Sequence, residues 1–222
     1  MTRIVFVLFP GVTQLDFTGP AQVLCRLPEV QVTVAARTLD PIATDSGFAI
    51  VPNATFDDAP QADILCVPGG HGVVDAVGDP ATIDFIARQA AGARWVTSVC
   101  TGAFLLGRAG LLHGKRATTH WAYAHLLPLV GAAHEPARVV EDGTTITAGG
   151  VTAGIDFALT LIARAAGQGY AESVQLALEY DPAPPFTAGS PSAAGSERTA
   201  ALKARVYDAA AARMAAALQS DQ

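Results

Sequence analysis

The sequence contains few basic residues, and they do not cluster. Its 14 Lys and Arg stand against 20 Asp and Glu in 222 residues, for a formal net charge of −6. We expect no nucleic-acid partner, because a nucleic-acid-binding face sets clustered Lys and Arg against phosphate. The longest apolar runs are too short to span a bilayer, and the N-terminal run lacks the cleavage site of a secretory signal. We therefore expect no membrane association.

Cysteines are also scarce. Cys25, Cys66 and Cys100 are an odd number without regular spacing, which argues against a disulfide framework and fits the reducing cytoplasm. No set of His, Cys and acidic residues has the spacing of metal ligands. Glycine-rich dinucleotide and nucleotide loops are absent as well. The sequence therefore predicts a cytoplasmic protein without a metal or a cofactor.

Apolar residues, by contrast, make up half of the chain and alternate between strand-like and helix-like segments. The predicted buried strands are "RIVFVLF", "VQVTVAAR", "ADILCVPGG" and "RWVTSV". The helices between and after them are "TQLDFTGPAQVLCRL", with Pro20 at an early helical position, "DPATIDFIARQAAG", "TGAFLLGRAGLL", "VTAGIDFALTLIARAAG" and "YAESVQLALEY". Turn residues predict hairpins in "DPIATDSGFAIVPNATF" and around Asp142-Gly143. This alternation predicts an α/β fold, a mostly parallel sheet with helices on both faces.

The composition changes after Tyr180. Residues 181–198 are rich in Pro, Gly, Ser and Ala, which predicts an extended surface segment. The alanine-rich residues that come next favour a helix. We therefore expect one domain over residues 1–180 and a tail, 181–222, whose helix packs on the body or on a second subunit.

Cys100 interrupts the chain where a strand gives way to a helix. Ligands of open parallel sheets bind at the carboxyl ends of the strands, and a helix N-terminus there favours a thiolate, which predicts a lowered thiol pKa. Gly102 would permit close approach of the chain at this turn. The alternative is a buried inert cysteine. The position of Cys100 at the end of a strand favours its interpretation as a nucleophile. Cys25 and Cys66 are interpreted as inert cysteines.

A nucleophile needs donors for developing charge and a partner for its proton. The turn "VPGGHG" comes after a buried strand, so the backbone N–H groups of Gly70, His71 and Thr101 could form an oxyanion hole, although a plain turn is the simpler interpretation. Asp16 comes after the first strand at the same sheet edge, where burial would raise its pKa. An acid at a helix start is also ordinary, and the residues alone leave these two interpretations equal.

His120, in "ATTHWAY", is the rival candidate for the base. It could complete a Cys–His pair with Cys100, or it could satisfy backbone groups in a packed corner. A single histidine is more often structural, so His120 is a minority candidate.

Four segments together resemble the ThiJ/PfpI superfamily, from about Arg3 to Tyr180. They are "LFPGVTQLDFTGP", "ILCVPGG", "TSVCTGAFLLGRAGLLHGKRATTHW" and "TAGGVTAGIDFAL". The resemblance implies a glutamine-amidotransferase-like domain with a flavodoxin-like three-layer sandwich. Within the superfamily, the motifs are most similar to the isonitrile hydratase branch and to the sensor domain of AraC-type transcription regulators.

The resemblance also implies residue roles. Cys100 matches the nucleophile, Asp16 its acidic partner, and Gly70 the position whose amide faces the sulfur. Thr101 stands where protease-like and glyoxalase-like relatives carry His, which argues against a Cys–His triad. The family is usually dimeric, so a homodimer is implied.

The two branches differ in the segment that comes after the domain. AraC-type regulators add a helix-turn-helix domain, whereas residues 181–222 contain no basic recognition helix. The resemblance thus implies a cysteine-dependent hydro-lyase that adds water to a small-molecule isonitrile through a covalent Cys100 thioimidate. A stand-alone sensor or redox-responsive binding protein is the alternative.

Overall fold

The structure, a computed structural model, describes residues 1–220. Its strands are β1 Thr2–Val7, β2 Val30–Ala36, β3 Ile42–Ala43, β4 Ala49–Ile50, β5 Ala54–Thr55, β6 Ile64–Val67, β7 Trp95–Val99, β8 Arg116–Ala117, β9 Ala133–His134, β10 Val139–Asp142 and β11 Thr145–Ala148. Its α-helices are α1 Gln14–Leu24, α2 Val73–Ala76, α3 Pro80–Gly92, α4 Gly102–Arg108, α5 Ala153–Ala166, α6 Gln168–Ala177, α7 Pro191–Ala194, α8 Ser196–Leu202 and α9 Asp208–Gln219. A 3₁₀ segment covers Trp121–Val130, and a π turn covers Lys203–Tyr207.

Seven strands form the central sheet, in the order β10-β11-β7-β6-β1-β2-β5. All neighbours are parallel except β10 and β11, which form the antiparallel hairpin expected around Asp142-Gly143. The side chains of Ile4–Val7 in the central β1 are fully buried, as a strand covered on both faces requires. The predicted mostly parallel sheet is therefore confirmed.

The helices form two packed groups around this sheet. In one, α1 and α6 pack against α5, which also contacts β10 and β11. In the other, α3 and α4 contact each other and β6, and α2 contacts α4 and α9. Two such groups give the layer on each face that the alternation of strands and helices predicts. None of the helices in residues 1–220 is long and apolar enough to cross a membrane.

Two details of α1 differ from expectation. Pro20 lies inside the helix and not at its start. Its ring fits there because Gly154 of α5 has no side chain, and a Cβ at Gly154 would lie 3.0 Å from Pro20 Cδ. Cys25, at the end of the helix, is exposed, and its thiol donates a hydrogen bond to the Gln22 carbonyl. Cys66 is buried, as expected.

The tail returns to the body of the protein. Residues 181–190 are exposed, and α9 packs against α2 and the 3₁₀ segment. Ala211, Met214 and Leu218 of α9 are buried in the same core as the strands. The tail helix is therefore part of the folded unit, while a domain boundary at residue 180 stays a prediction.

Candidate active site

Cys100 occupies the junction between β7 and α4 in a strained conformation. Its φ is +57°, a left-handed value that few non-glycine residues adopt. Its N–H donates to the carbonyls of Ala148 and Gly149 at 3.0 and 2.9 Å, and its carbonyl accepts from Thr119 Oγ1 at 2.7 Å. Surrounding hydrogen bonds thus hold a conformation of the kind that clusters at active sites.

The glycine after this turn is needed for close packing. A Cβ at Gly102 would lie 2.2 Å from the Val67 carbonyl oxygen and 2.7 Å from that of Pro68. Helix α4 therefore starts directly against the end of β6, as the close approach predicted for Gly102 requires. This contact brings the loop after β6 to the sulfur.

Asp16 lies in the first turn of α1, where its side chain interacts with that of Cys100, and only 1% of its surface is exposed. Its Oδ2 accepts a hydrogen bond from the Gly69 N–H at 3.0 Å, while the buried Oδ1 accepts no hydrogen bond from residues 1–220. Burial raises the pKa of Asp16 from 3.8 to about 7, and the interactions with Gly69 and the Cys100 side chain oppose this shift. Asp16 can therefore hold or release a proton near neutral pH.

The sulfur of Cys100 is also buried, at 6% exposure of the residue. Burial and the neighbouring Asp16 charge raise its thiol pKa well above the ordinary value, against hydrogen bonds from the backbone N–H groups of Thr101 and Val151. The expected lowering of this pKa is therefore wrong, because burial and a buried acid outweigh the helix terminus. The pair carries at most one negative charge near neutral pH.

The residues predicted to supply oxyanion-hole N–H groups do not all contact the sulfur. The Gly70 N–H donates to Thr101 Oγ1 at 3.0 Å, and that hydroxyl donates back to the Gly70 carbonyl at 3.2 Å. The resemblance implied that the Gly70 amide faces the sulfur. In the structure, the Gly70 N–H bonds to Thr101 Oγ1 instead. The amides that contact the sulfur belong to Thr101 and Val151. His71 lines the cavity beside Gly70.

His120 lies in the same cavity but is poorly suited to be a base. Its Nδ1 accepts from the Ala122 N–H at 3.3 Å, which assigns the proton of the neutral ring to Nε2. Burial and the charge of His71 lower its pKa to about 4. His120 is therefore neutral at pH 7, and because Nδ1 accepts from Ala122 and Nε2 carries the proton, neither nitrogen is free to accept the thiol proton.

The cavity above Cys100 has a volume of about 160 Å³. It is lined by Thr13, Asp45, Gly70, His71, Cys100, Thr101, His120, Tyr123, Val151 and Tyr207. Sequence reasoning missed five of these residues, namely Thr13, Asp45, Tyr123, Val151 and Tyr207. A signal existed for Tyr207, which is the one aromatic residue in the alanine-rich end of the tail. Within residues 1–220, no group of three or more His, Cys, Asp and Glu is arranged to hold a metal ion.

The buried carboxyl of Asp16 should make stability depend on pH. Because its folded-state pKa of about 7 exceeds the ordinary 3.8, the folded protein retains a proton that the unfolded chain has lost. Stability is therefore lost as the pH rises from about 4 to about 7, at a cost of up to about 4 kcal/mol. Asp16→Asn removes this cost, so its stability relative to wild type should increase between pH 4 and pH 8. Urea unfolding at both pH values measures the difference, and a pH-independent difference would contradict the assignment.

The chain is similar to proteins of known family. Residues 2–164 match the model of the DJ-1/PfpI family. The chain is 56% identical over 194 residues to an isonitrile hydratase from Pseudomonas putida, covering 87% of this chain and 85% of that protein. It is 29% identical over 171 residues to the HTH-type transcriptional regulator CdhR of Pseudomonas aeruginosa, covering 73% of this chain and 50% of the regulator.

A solved structure confirms the architecture. The crystal structure of a ThiJ/PfpI family protein from Pseudomonas syringae superposes with a TM-score of 0.94 at 41% identity, covering 98% of this chain and 90% of that chain. The expected flavodoxin-like sandwich is thereby confirmed. On the family match and the 56% identity, the chain belongs to the DJ-1/PfpI family.

Proposed function

We propose that the protein is an isonitrile hydratase that adds water to R–N≡C and releases an N-substituted formamide. The observation that carries this proposal is the buried pair of Cys100 and Asp16, a nucleophile beside an acid with a pKa of about 7. An isonitrile carbon must accept a nucleophile and a proton, and this pair supplies both. The similarity to the Pseudomonas putida enzyme supports the choice of substrate.

In the first step, the sulfur of Cys100 forms a bond to the terminal carbon of the isonitrile. The thiol proton passes to Asp16 and from there to the same carbon. The product is a covalent thioimidate, R–N=CH–S–Cys100, and Asp16 ends the step ionised. The raised pKa values of both groups favour this route, because the pair begins with a proton to transfer and only one negative charge.

In the second step, water adds to the thioimidate carbon. Ionised Asp16 takes a proton from the water and passes it to the nitrogen, which leaves R–NH–CH(OH)–S–Cys100. The carbon–sulfur bond then breaks as the carbonyl forms, and the hydroxyl proton returns to the Cys100–Asp16 pair. Hydration is complete with no oxidation or reduction, so Cys100 and Asp16 suffice for the bond-making steps.

The surrounding groups stabilise the departing sulfur. The N–H groups of Thr101 and Val151 donate hydrogen bonds to it and favour its anionic form. Such fixed donors act most strongly in a small cavity with little water. Thr101 therefore assists the collapse of the tetrahedral intermediate, while Gly70 orients the Thr101 hydroxyl through their mutual hydrogen bonds.

A direct assay tests the proposed reaction. Incubation with cyclohexyl isonitrile in H₂¹⁸O should give N-cyclohexylformamide labelled in its oxygen, with many turnovers per protein molecule. NMR and mass spectrometry measure the product, and boiled protein is the control. Stoichiometric modification of Cys100 without turnover would contradict the proposal. It would favour the sensing alternative, which the similarity to the regulator supports.

The homodimer and the cytoplasmic location stay predictions.

A further inference from the structure

One side of the cavity above Cys100 is built from aromatic rings. His120, Tyr123 and Tyr207 all line it, and we call them the aromatic wall. The Tyr207 ring centroid lies 5.0 Å from that of His120 and 6.0 Å from that of Tyr123. The cavity is also lined by Thr13, Asp45 and His71, whose side chains are polar. An apolar group that enters the cavity therefore finds its favourable surface at the wall.

Tyr207 is the member of the wall that comes from the tail. It ends the π turn Lys203–Tyr207, a local geometry frequent at functional sites. Behind it, the Trp121 ring packs edge-on at 5.4 Å. The next helix, α9, is anchored by its buried apolar residues. Tyr207 is consequently a fixed part of the cavity.

The size of the cavity limits what can reach the sulfur. About 160 Å³ is well below the roughly 300–1,000 Å³ of usual ligand pockets. Cys100, Tyr123 and Tyr207 line the same cavity, so an isonitrile whose carbon reaches the sulfur must fit its R group into this small space beside the aromatic wall. We propose that Tyr207 is a specificity-determining residue that restricts the substrate to isonitriles with small apolar R groups. This inference rests on the proposed hydration activity.

Substrate competition measures the predicted selectivity. The assay compares kcat/KM for isopropyl isonitrile and 2-naphthyl isonitrile in wild type, Tyr207→Leu, Tyr207→Ala and Tyr207→Phe. The leucine and alanine variants should increase the naphthyl-to-isopropyl ratio by about tenfold or more, a size of effect that pocket contacts produce. Tyr207→Phe keeps the ring and should leave the ratio within about threefold. An unchanged ratio in folded Tyr207→Leu would overturn the proposal.

A second readout does not depend on hydration. Iodoacetamide and N-(2-naphthyl)iodoacetamide are reacted with each protein, and peptide mass spectrometry gives the labelling of Cys100 relative to Cys25. Cys25 is exposed and serves as an internal control. In Tyr207→Leu, labelling of Cys100 by the bulky reagent should increase relative to the small one, while that of Cys25 stays constant. If wild type hydrates no isonitrile, the proposed function fails, and this ratio still decides whether Tyr207 restricts access; equal ratios in both proteins would overturn that role.

Discussion

Replacing Cys100 with alanine is expected to reduce isonitrile hydration by at least about 1,000-fold, because the covalent bond to carbon can no longer form. Asp16 alone offers only a proton, and water is a much weaker nucleophile toward an isonitrile than sulfur. The loss should appear in kcat, measured as formamide release under saturating substrate. No mass adduct on the variant protein should be detected.

We expect the Cys100→Ala variant to fold. The change removes one buried sulfur atom from a chain whose backbone at Cys100 is held by Ala148, Gly149 and Thr119, so the loss of stability should be of order 1–2 kcal/mol. Circular dichroism and thermal unfolding check this point. Cys25→Ala is the matched control, because Cys25 is exposed, and it should retain wild-type activity. Hydration by folded Cys100→Ala within tenfold of wild type would exclude covalent catalysis by this sulfur.

The sequence could place Cys100 and Asp16 at one sheet edge because sheet topology makes their positions predictable, whereas only the family resemblance implied a role for Asp16. Cys100 comes directly after β7 and Asp16 comes after β1, and β6 lies between these strands. Carboxyl ends of parallel strands meet at one edge, so residues 84 positions apart in the chain converge there. The hydrophobic runs that define the strands are local features, which a sequence shows directly.

Other parts of the site depend on tertiary packing. Val151 reaches the sulfur because β11 pairs with β7, and nothing in its local sequence marks that role. Tyr207 reaches the cavity only because α9 docks on α2 and the 3₁₀ segment. The direction of the Cys100 pKa shift likewise results from the depth of burial and from Asp16, while the sequence shows only the helix start, which acts in the opposite direction.

Asp16→Asn is expected to separate the two roles of the catalytic pair. Proton transfer is lost, so hydration should fall by about 100-fold to 10,000-fold. The reactivity of the sulfur should change in the opposite direction. Since the Asp16 charge raises the thiol pKa of Cys100, its removal increases the thiolate fraction, by tenfold for each pKa unit. Iodoacetamide should therefore label Cys100 several-fold faster in the variant at pH 8, where Asp16 of the wild type is mostly ionised.

Opposite changes in labelling and turnover distinguish proton transfer from simple damage to the site. A distorted cavity would slow both reactions, and a residue without a catalytic role would change neither. Asp84→Asn, an exposed substitution on α3, controls for the loss of one carboxylate from the protein. If Asp16→Asn hydrates isonitriles within a few-fold of wild type, another group moves the proton, and His120 becomes the first alternative despite its low pKa. If turnover falls while labelling accelerates, Asp16 both restrains the sulfur at rest and supplies the proton that hydration requires.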